Sequence, residues 1–345
     1  KRLTRAEAFK GLFAPGESDS TATTFETIQD DIRVRLNWGQ IDHDTILHAF
    51  LARRAANPYR DIHLEFQDDR KASVDFPDED QEQAHHRLLD ALETAIEFLR
   101  DNAGIPHFTF LAYRPQLVVM ARFFGLFPQP VPRNLDLLRR WYWRMALSGP
   151  GMMAGNTTGA VRTLTACIRR DEEGDSVQRL LKALPQVPGK RVDAHDFRAN
   201  RASGRIMVCA LWHRRPLSPD TGEPFGYDDL ALEIGAESTP KSASPEVFPR
   251  SDLSSDVRNS LGNRVIMPGI PLISVRDPAA WSDAVRESHL FGSGKIPDDV
   301  VREREHAVQE YIDKFLQERT GQGFDDSAPL ASFDFDDDSS QDDAW

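Results

Sequence analysis

The sequence predicts a mainly α protein: an all-helical region over residues 1–188, a small α+β region over 189–322 and a disordered acidic tail over 323–345. Three observations carry this expectation. Apolar residues recur at helical spacing through the first half, as in Leu88, Leu92, Ile96 and Leu99. After Gly189 the pattern breaks into short apolar runs separated by Gly- and Pro-containing turns. From Phe324 to Trp345 there are eight aspartates and no Lys or Arg, a composition that cannot bury a core.

The elements follow in order. Residues 1–70 read as short helices, one beginning around Thr24 and another carrying Ile46, Leu47, Phe50 and Leu51 on one side, with Asp44 as its N-cap. Residues 67–84 are polar and read as a loop. The clearest helix spans 83–100 and is stopped by Gly104 and Pro106. The next starts at Pro115, since proline suits a first helical turn, and ends before Pro128. A third covers about 134–148, with Leu135, Leu138, Trp141, Tyr142 and Met145 inward, and Gly149-Pro150-Gly151 should end it. Trp143 leaves that stripe and points to an interface. Helices near 158–170 and 177–184 complete the helical region.

Arg205 to Trp212 fits a strand or a last core helix, and periodicity does not decide between them. Ser218 to Glu223 is a turn, with Pro219 fixing one φ angle and Gly222 permitting a positive one. Residues 235–247 read as a polar loop. Helices over about 279–288 and 298–319 close the region, the second with Val301, Val308, Ile312, Phe315 and Leu316 at helical spacing.

Composition narrows the function classes. With 40% hydrophobic and 28% charged residues, the chain reads as a soluble globular protein. The longest apolar run, near Leu117 to Phe127, is short and broken by Arg122, so no bilayer span or membrane partner is expected. No signal peptide is visible, and the two cysteines, Cys167 and Cys209, are isolated; a reducing cytoplasm is the expected compartment. The net charge is −13; the eight tail aspartates account for −8, leaving −5 for residues 1–323, with local arginine clusters. The opening Lys1 fits a piece of a longer protein.

No GxGxxG, Walker loop, GxSxG or paired CxxC is present, and the histidines are scattered. His85 and His86 diverge on a helix and cannot easily share a metal. His107 fits a structural hydrogen bond in its turn, and His289 sits at a helix end that favours a cation.

One stretch points further. Glu246-Val247-Phe248-Pro249-Arg250-Ser251 is followed by Asn259-Ser260-Leu261-Gly262-Asn263-Arg264 and then Ile273-Ser274-Val275-Arg276-Asp277-Pro278. Together with Ile105-Pro106-His107, Phe110-Leu111-Ala112-Tyr113, Ala121-Arg122-Phe123-Phe124, Leu138 to Arg144 and Pro216 to Gly222, it resembles the C-terminal part of GmrSD-type modification-dependent restriction proteins. The resemblance touches most of residues 1–320. It implies a helical domain followed by an HNH-type ββα-metal nuclease module, DNA (modified or phage) as partner, and an N-terminal ParB/sulfiredoxin-like nucleotide-using domain whose Asp-Gly-Gln-Gln-Arg motif this chain lacks.

An HNH site uses one divalent metal, normally Mg²⁺, with a histidine base and an orienting asparagine. Where the resembled family has His-His-Ile before Phe-Pro, this chain has Pro245-Glu246-Val247. Glu246 stands at the base position, where a carboxylate of ordinary pKa, about 4.3, is a weak base at neutral pH. Asn263 matches the orienting asparagine, although an Asn beside Gly is also a common turn cap. Gly269-Ile270-Pro271-Leu272 offers no side-chain ligand. The expectation is therefore a degenerate module: Glu246 and Asn263 as relic catalytic residues, no metal site and no cofactor, with Mg²⁺ only if the site is active. Arg250, Arg258, Arg264, Arg276, Arg140 and Arg144 are candidate phosphate contacts, or else members of solvated, salt-bridged faces. Three functions remain open at this point: a catalytically silent, DNA-associated helper of a bacterial restriction or anti-phage protein, an active endonuclease using Glu246 with Asp252 or Asp256, and a protein–protein module. The acidic tail could compete with DNA for a basic face or serve solubility alone.

Overall fold

A computed structural model describes residues 25–56, 74–153, 157–185 and 191–321, apart from 236, 238, 293 and 295. The expected acidic tail and residues 67–73 of the loop expected over 67–84 lie outside these residues; 74–80 are turns and bends, and 81–84 already belong to the helix that follows. The described chain is mainly helical: α1 (Phe25–Leu36), α2 (His43–Arg53), α3 (Gln81–Glu97), α4 (Pro115–Leu126), α5 (Pro132–Met153), α6 (Thr157–Ala166), α7 (Glu173–Lys182), α8 (Ala202–His213), α9 (Tyr227–Ile234), α10 (Leu272–Val275), α11 (Asp283–Ser288) and α12 (Pro297–Thr320). The strands expected after residue 189 do not form among the described residues, which contain only two isolated antiparallel bridges, Leu217 with Pro224 and Glu246 with Arg264. No described helix is long and apolar enough to cross a membrane.

Local chemistry sets the helix ends. Asp80 accepts from the Gln83 backbone N–H at 2.8 Å while the Gln83 side chain accepts from the Asp80 N–H at 3.2 Å, a capping box that starts α3. At its far end α3 widens into a π turn, Phe98–Ala103, which Gly104 closes at φ +80°. The N-cap of α2 is Asp42, not Asp44: its carboxylate accepts from Thr45 N at 2.9 Å, and Asp44 falls inside the first turn. Pro115 occupies the first turn of α4, as the sequence indicates. Gly149-Pro150-Gly151 does not stop α5, which continues to Met153. Gly149 serves packing instead; a Cβ there would lie 2.0 Å from the Tyr113 ring. Residues 205–212 form α8. Ile206 through Ala210 are all buried, so no polar face remains to print a period. Helix α9 begins where the sequence offered no helical signal.

One apolar core runs from Phe25 to Leu316 and takes residues from both sides of residue 188. Helix α4 packs on α2 and α3, α5 packs on α7 and on the π turn, and α12 packs on α5 and α8. Trp141 is buried in it as expected. Trp143 meets α12: its ring stands edge-on to Phe315 at 5.0 Å and its Nε1 donates to Ala103 O at 3.1 Å. A smaller core of Val247, Val265, Met267, Val275, Trp281, Val285, Phe291 and Val300 lies under residues 243–300.

Two of the buried histidines, His107 and His289, are held neutral by burial. His107 Nδ1 accepts from Thr109 N at 3.2 Å, and burial lowers its pKa to about 4. His289 is the opposite of the expected helix-end cation. Burial first, then the charges of Arg304 and Arg214, lower its pKa to about 3, and its Nε2–H donates to Leu217 O at 3.0 Å. Arg214 and Arg304 bind the end of α11 in its place, donating to Glu287, Ser288 and His289 carbonyls.

A pH dependence follows. Unfolded histidines take up protons below about 6.5, whereas the folded ones resist until about 4 and about 3. Protons therefore favour unfolding: this stability is intact above pH 6.5 and is lost as pH falls toward 4. Urea denaturation across that window should show a slope approaching about 2.7 kcal/mol per pH unit from the two groups. His107→Asn should reduce the slope by about half; an unaltered slope would refute the assignment.

Candidate functional site

The candidate site is the segment 243–267 and the helices beneath it. Met267 N donates to Ala243 O at 3.2 Å, Val265 N to Pro245 O at 3.3 Å and Val247 N to Asn263 O at 2.9 Å. These bonds pair the two arms antiparallel, in register with the Glu246–Arg264 bridge. Two of the return bonds that would complete a ladder are blocked. Pro245 has no N–H, and the Asn263 N–H is already held by Ser260 O at 3.2 Å. The arms thus form half a ladder, which is why neither is a strand.

Asn263 is buried inside this loop. Its Oδ1 accepts from Phe248 N at 2.8 Å and its Nδ2 donates to Phe248 O at 3.0 Å. Both backbone groups of one residue are satisfied by one amide, which fixes the turn between the arms. Glu246 is tied to Arg264 at 2.6 Å, with Arg250 at 3.7 Å. Arg264 also donates to Ser244 O at 2.6 Å and covers the Phe197 ring at 5.3 Å; burial lowers its pKa despite Glu246. Sequence and structure therefore bring Glu246, Asn263, Arg264 and Arg250 together.

The remaining candidates are dispersed. Arg250 donates to Asn259 Oδ1 at 2.7 Å, and Arg258 to Leu253 O at 2.8 Å. Arg276 is exposed just after α10, with no side-chain hydrogen bond among the described residues. Arg144 donates to the carbonyls of Thr320 and Gly321 at 3.0 and 2.8 Å, closing the end of α12. Arg140 is half-buried on α5. Asp252 accepts from Ser251 Oγ at 2.8 Å. Asp256 is held down to about pKa 2 by hydrogen bonds from Ser254 and Arg302, the latter at 2.7 Å. Among the described residues no group of three or more His, Cys, Asp or Glu side chains is placed to hold a metal ion.

The residue that sequence reasoning missed is Arg304. It is buried in α12 and donates from Nη1 to Leu261 O at 2.9 Å and to Gly262 O at 2.8 Å, and from Nε to His289 O at 2.7 Å. Its guanidinium lies 4.8 Å from the Phe291 centroid. Burial lowers its pKa to about 9, which leaves it charged at neutral pH. The only signal in the sequence was a charged residue three positions after Val301, on the apolar stripe of α12. Gly262 allows the approach: a Cβ there would meet Val301 O at 2.2 Å. The 3₁₀ turn Leu261–Asn263 that carries Asn263 is thus pressed onto α12.

Two substitutions test this clamp by chemical denaturation. Gly262→Ala should cost about 2 kcal/mol or more, because backbone on both sides must move apart. Arg304→Met should cost about 3 kcal/mol or more, because three charge-assisted bonds are lost and the Gly262 and His289 carbonyls lose their side-chain partner. Losses under about 0.5 kcal/mol in both would refute the clamp.

No family model, curated protein or solved structure matches this chain.

Proposed function

We propose that the chain is a catalytically silent, DNA-associated module whose segment 243–276 is a degenerate HNH-type hairpin, acting as a helper part of a GmrSD-like restriction or anti-phage protein. The observation that carries this reading is Asn263, whose buried amide clamps Phe248 N and O across a turn between two antiparallel arms. That is the work an orienting asparagine does in an HNH loop, and short helices α10 and α11 follow it.

Silence is supported by the donor set. A hard divalent cation needs several oxygen ligands and a carboxylate free to give them. Glu246 is the one carboxylate in the paired arms, and Arg264 and Arg250 neutralise it. Pro245, Ile270 and Pro271 have no donor atoms in their side chains. Asp252 and Asp256 make their own bonds with Ser251, Ser254 and Arg302. These residues do not fit Mg²⁺. In place of a metal's charge, Arg264 supplies a guanidinium fixed between Glu246 and Ser244 O.

DNA association rests on Arg276, Arg250 and Arg258, which keep exposure beside the hairpin. Such arginines hold phosphates without reading sequence. Arg264 and Arg144 are built into the fold and belong to a different class.

Fluorescence anisotropy with a duplex at several salt concentrations tests this reading. Arg276→Ala and Arg250→Ala should each weaken binding and lower the salt slope by about one, with folding unchanged. Supercoiled plasmid with Mg²⁺ or Mn²⁺ should stay intact. Nicking that vanishes in Glu246→Ala would replace this reading with an active nuclease, and salt-independent or absent binding would replace it with a protein–protein module.

A further inference from the structure

A nest of arginines lies in the helical part and shares no residue with the hairpin. Residues 74–79, just before α3, lie as a strap on the end of α2 and on α4. Glu79 accepts from Arg53 at 2.6 and 2.7 Å, one bond to each carboxylate oxygen, and from Arg54 at 3.2 Å. Asp75 pairs with Arg122 at 2.5 Å, and its backbone N–H donates to Arg54 O at 3.1 Å. Two guanidiniums lie over the Phe76 ring, Arg53 at 4.3 Å and Arg170 at 4.8 Å from its centroid.

Two features separate this strap from an ordinary loop. Phe76 has φ +61°, a left-handed conformation that a bulky side chain adopts only where its surroundings hold it there. The strap is also a single outer layer. Asp75, Phe76, Pro77 and Glu79 are half-buried, whereas Arg53, Arg54 and Arg122 beneath them are buried. Arg170 is exposed at the edge, with Asp78 and Asp171 exposed beside it.

The ligand in this nest is written a second time in the chain. The strap reads Asp75-Phe76-Pro77-Asp78-Glu79, and the C-terminal segment reads Asp334-Phe335-Asp336-Asp337-Asp338. Each is an Asp-Phe pair, one intervening residue and two carboxylates. The third Asp-Phe pair, Asp196-Phe197, is followed by Arg198 and Ala199 and lacks those acids. In the place of Pro77 the C-terminal segment has Asp336, a further carboxylate that suits the exposed Arg170. Asp334 lies 13 residues beyond Gly321, a length of chain that reaches up to about 45 Å, roughly the width of a domain this size.

We propose that the nest of Arg53, Arg54, Arg122 and Arg170 is a docking site for acidic Asp-Phe segments, filled by residues 75–79 in this structure and open to exchange with residues 334–338 of the same chain. The ring of Phe335 takes the place of the Phe76 ring against Arg53 and Arg170, and the flanking aspartates take the guanidinium forks. Exchange releases Phe76 from its left-handed conformation. Because the competing segment is tethered, its local concentration does not depend on the protein concentration.

Fluorescence anisotropy of a labelled peptide with the sequence of residues 331–341, titrated with the full chain, tests the exchange. Phe76→Gly removes the resident ring and tolerates the positive φ, so the fold is kept. Phe76→Gly combined with Phe335→Ala, which empties the nest of both rings, should bind the peptide at least about tenfold more tightly than the native chain does. Phe76→Gly alone should bind it more weakly than the double variant, because its own C-terminal segment fills the site. In the double variant, Arg170→Gln, at an exposed position, should weaken the peptide several-fold, as should Phe335→Ala placed in the peptide itself. The proposal is overturned if the native chain and the double variant bind the peptide equally, or if the single and double variants do. It is also overturned if the alanine peptide binds as tightly as the phenylalanine one, since charge alone would then be recognised. Displacement of the peptide by oligothymidylate at a lower concentration than by unlabelled peptide would overturn it in favour of a single-stranded nucleic acid site.

Discussion

A single buried cation, Arg304, is the constraint on which the hairpin region depends. It faces three backbone carbonyls and a ring rather than a carboxylate. Taking a guanidinium out of water is costly, and only several charge-assisted bonds, about 1.5–3 kcal/mol each, offset it. Those bonds join three pieces that are distant in sequence: the turn 261–263, the end of α11 and the body of α12. The charge also acts on its neighbour, helping to keep His289 neutral, so that the imidazole can donate to Leu217 O. The position of Asn263, and through it Phe248, follows from this one side chain and from the missing Cβ at Gly262.

The same use of arginine recurs through the molecule. Arg122 donates to Arg53 O and Ile168 O, Arg144 to the end of α12, Arg179 to Cys167 O, Arg214 to the end of α11 and Arg264 to Ser244 O. A forked donor is well suited to carbonyls left over where helices end. Arginine density along this chain is therefore in large part a record of helix termini and irregular turns. Only arginines that keep exposure, such as Arg276 and Arg250, stay outside that structural role.

This explains which parts of the structure were legible in the sequence. The amphipathic helices α3 and α12 and the proline-started α4 announce themselves by period and cap. Helix α8 does not, because burial on every side erases the period, and α5 overruns its apparent stop because Gly149 is there to admit Tyr113. At the hairpin, it was the family resemblance, not periodicity or spacing, that placed Glu246 and Asn263 in one site with Arg264 flanking it. The sequence could not indicate that Arg264 would be built in while Arg276 stayed exposed, since that depends on Phe197 and Ser244 approaching from elsewhere. His289 was misread for a related reason: a helix end favours a cation, but two arginines from other elements had already met that need.

The reliance of the turn 261–263 on α12 has a consequence for biosynthesis. Both arms of the hairpin are synthesised before Val301 and Arg304, so until then the Gly262 carbonyl lacks its guanidinium and Leu261 O has only the local Arg264 N–H. The Asn263 loop can reach its final geometry only after α12 has emerged and docked, which makes the region that looks most local in sequence one of the later ones to mature.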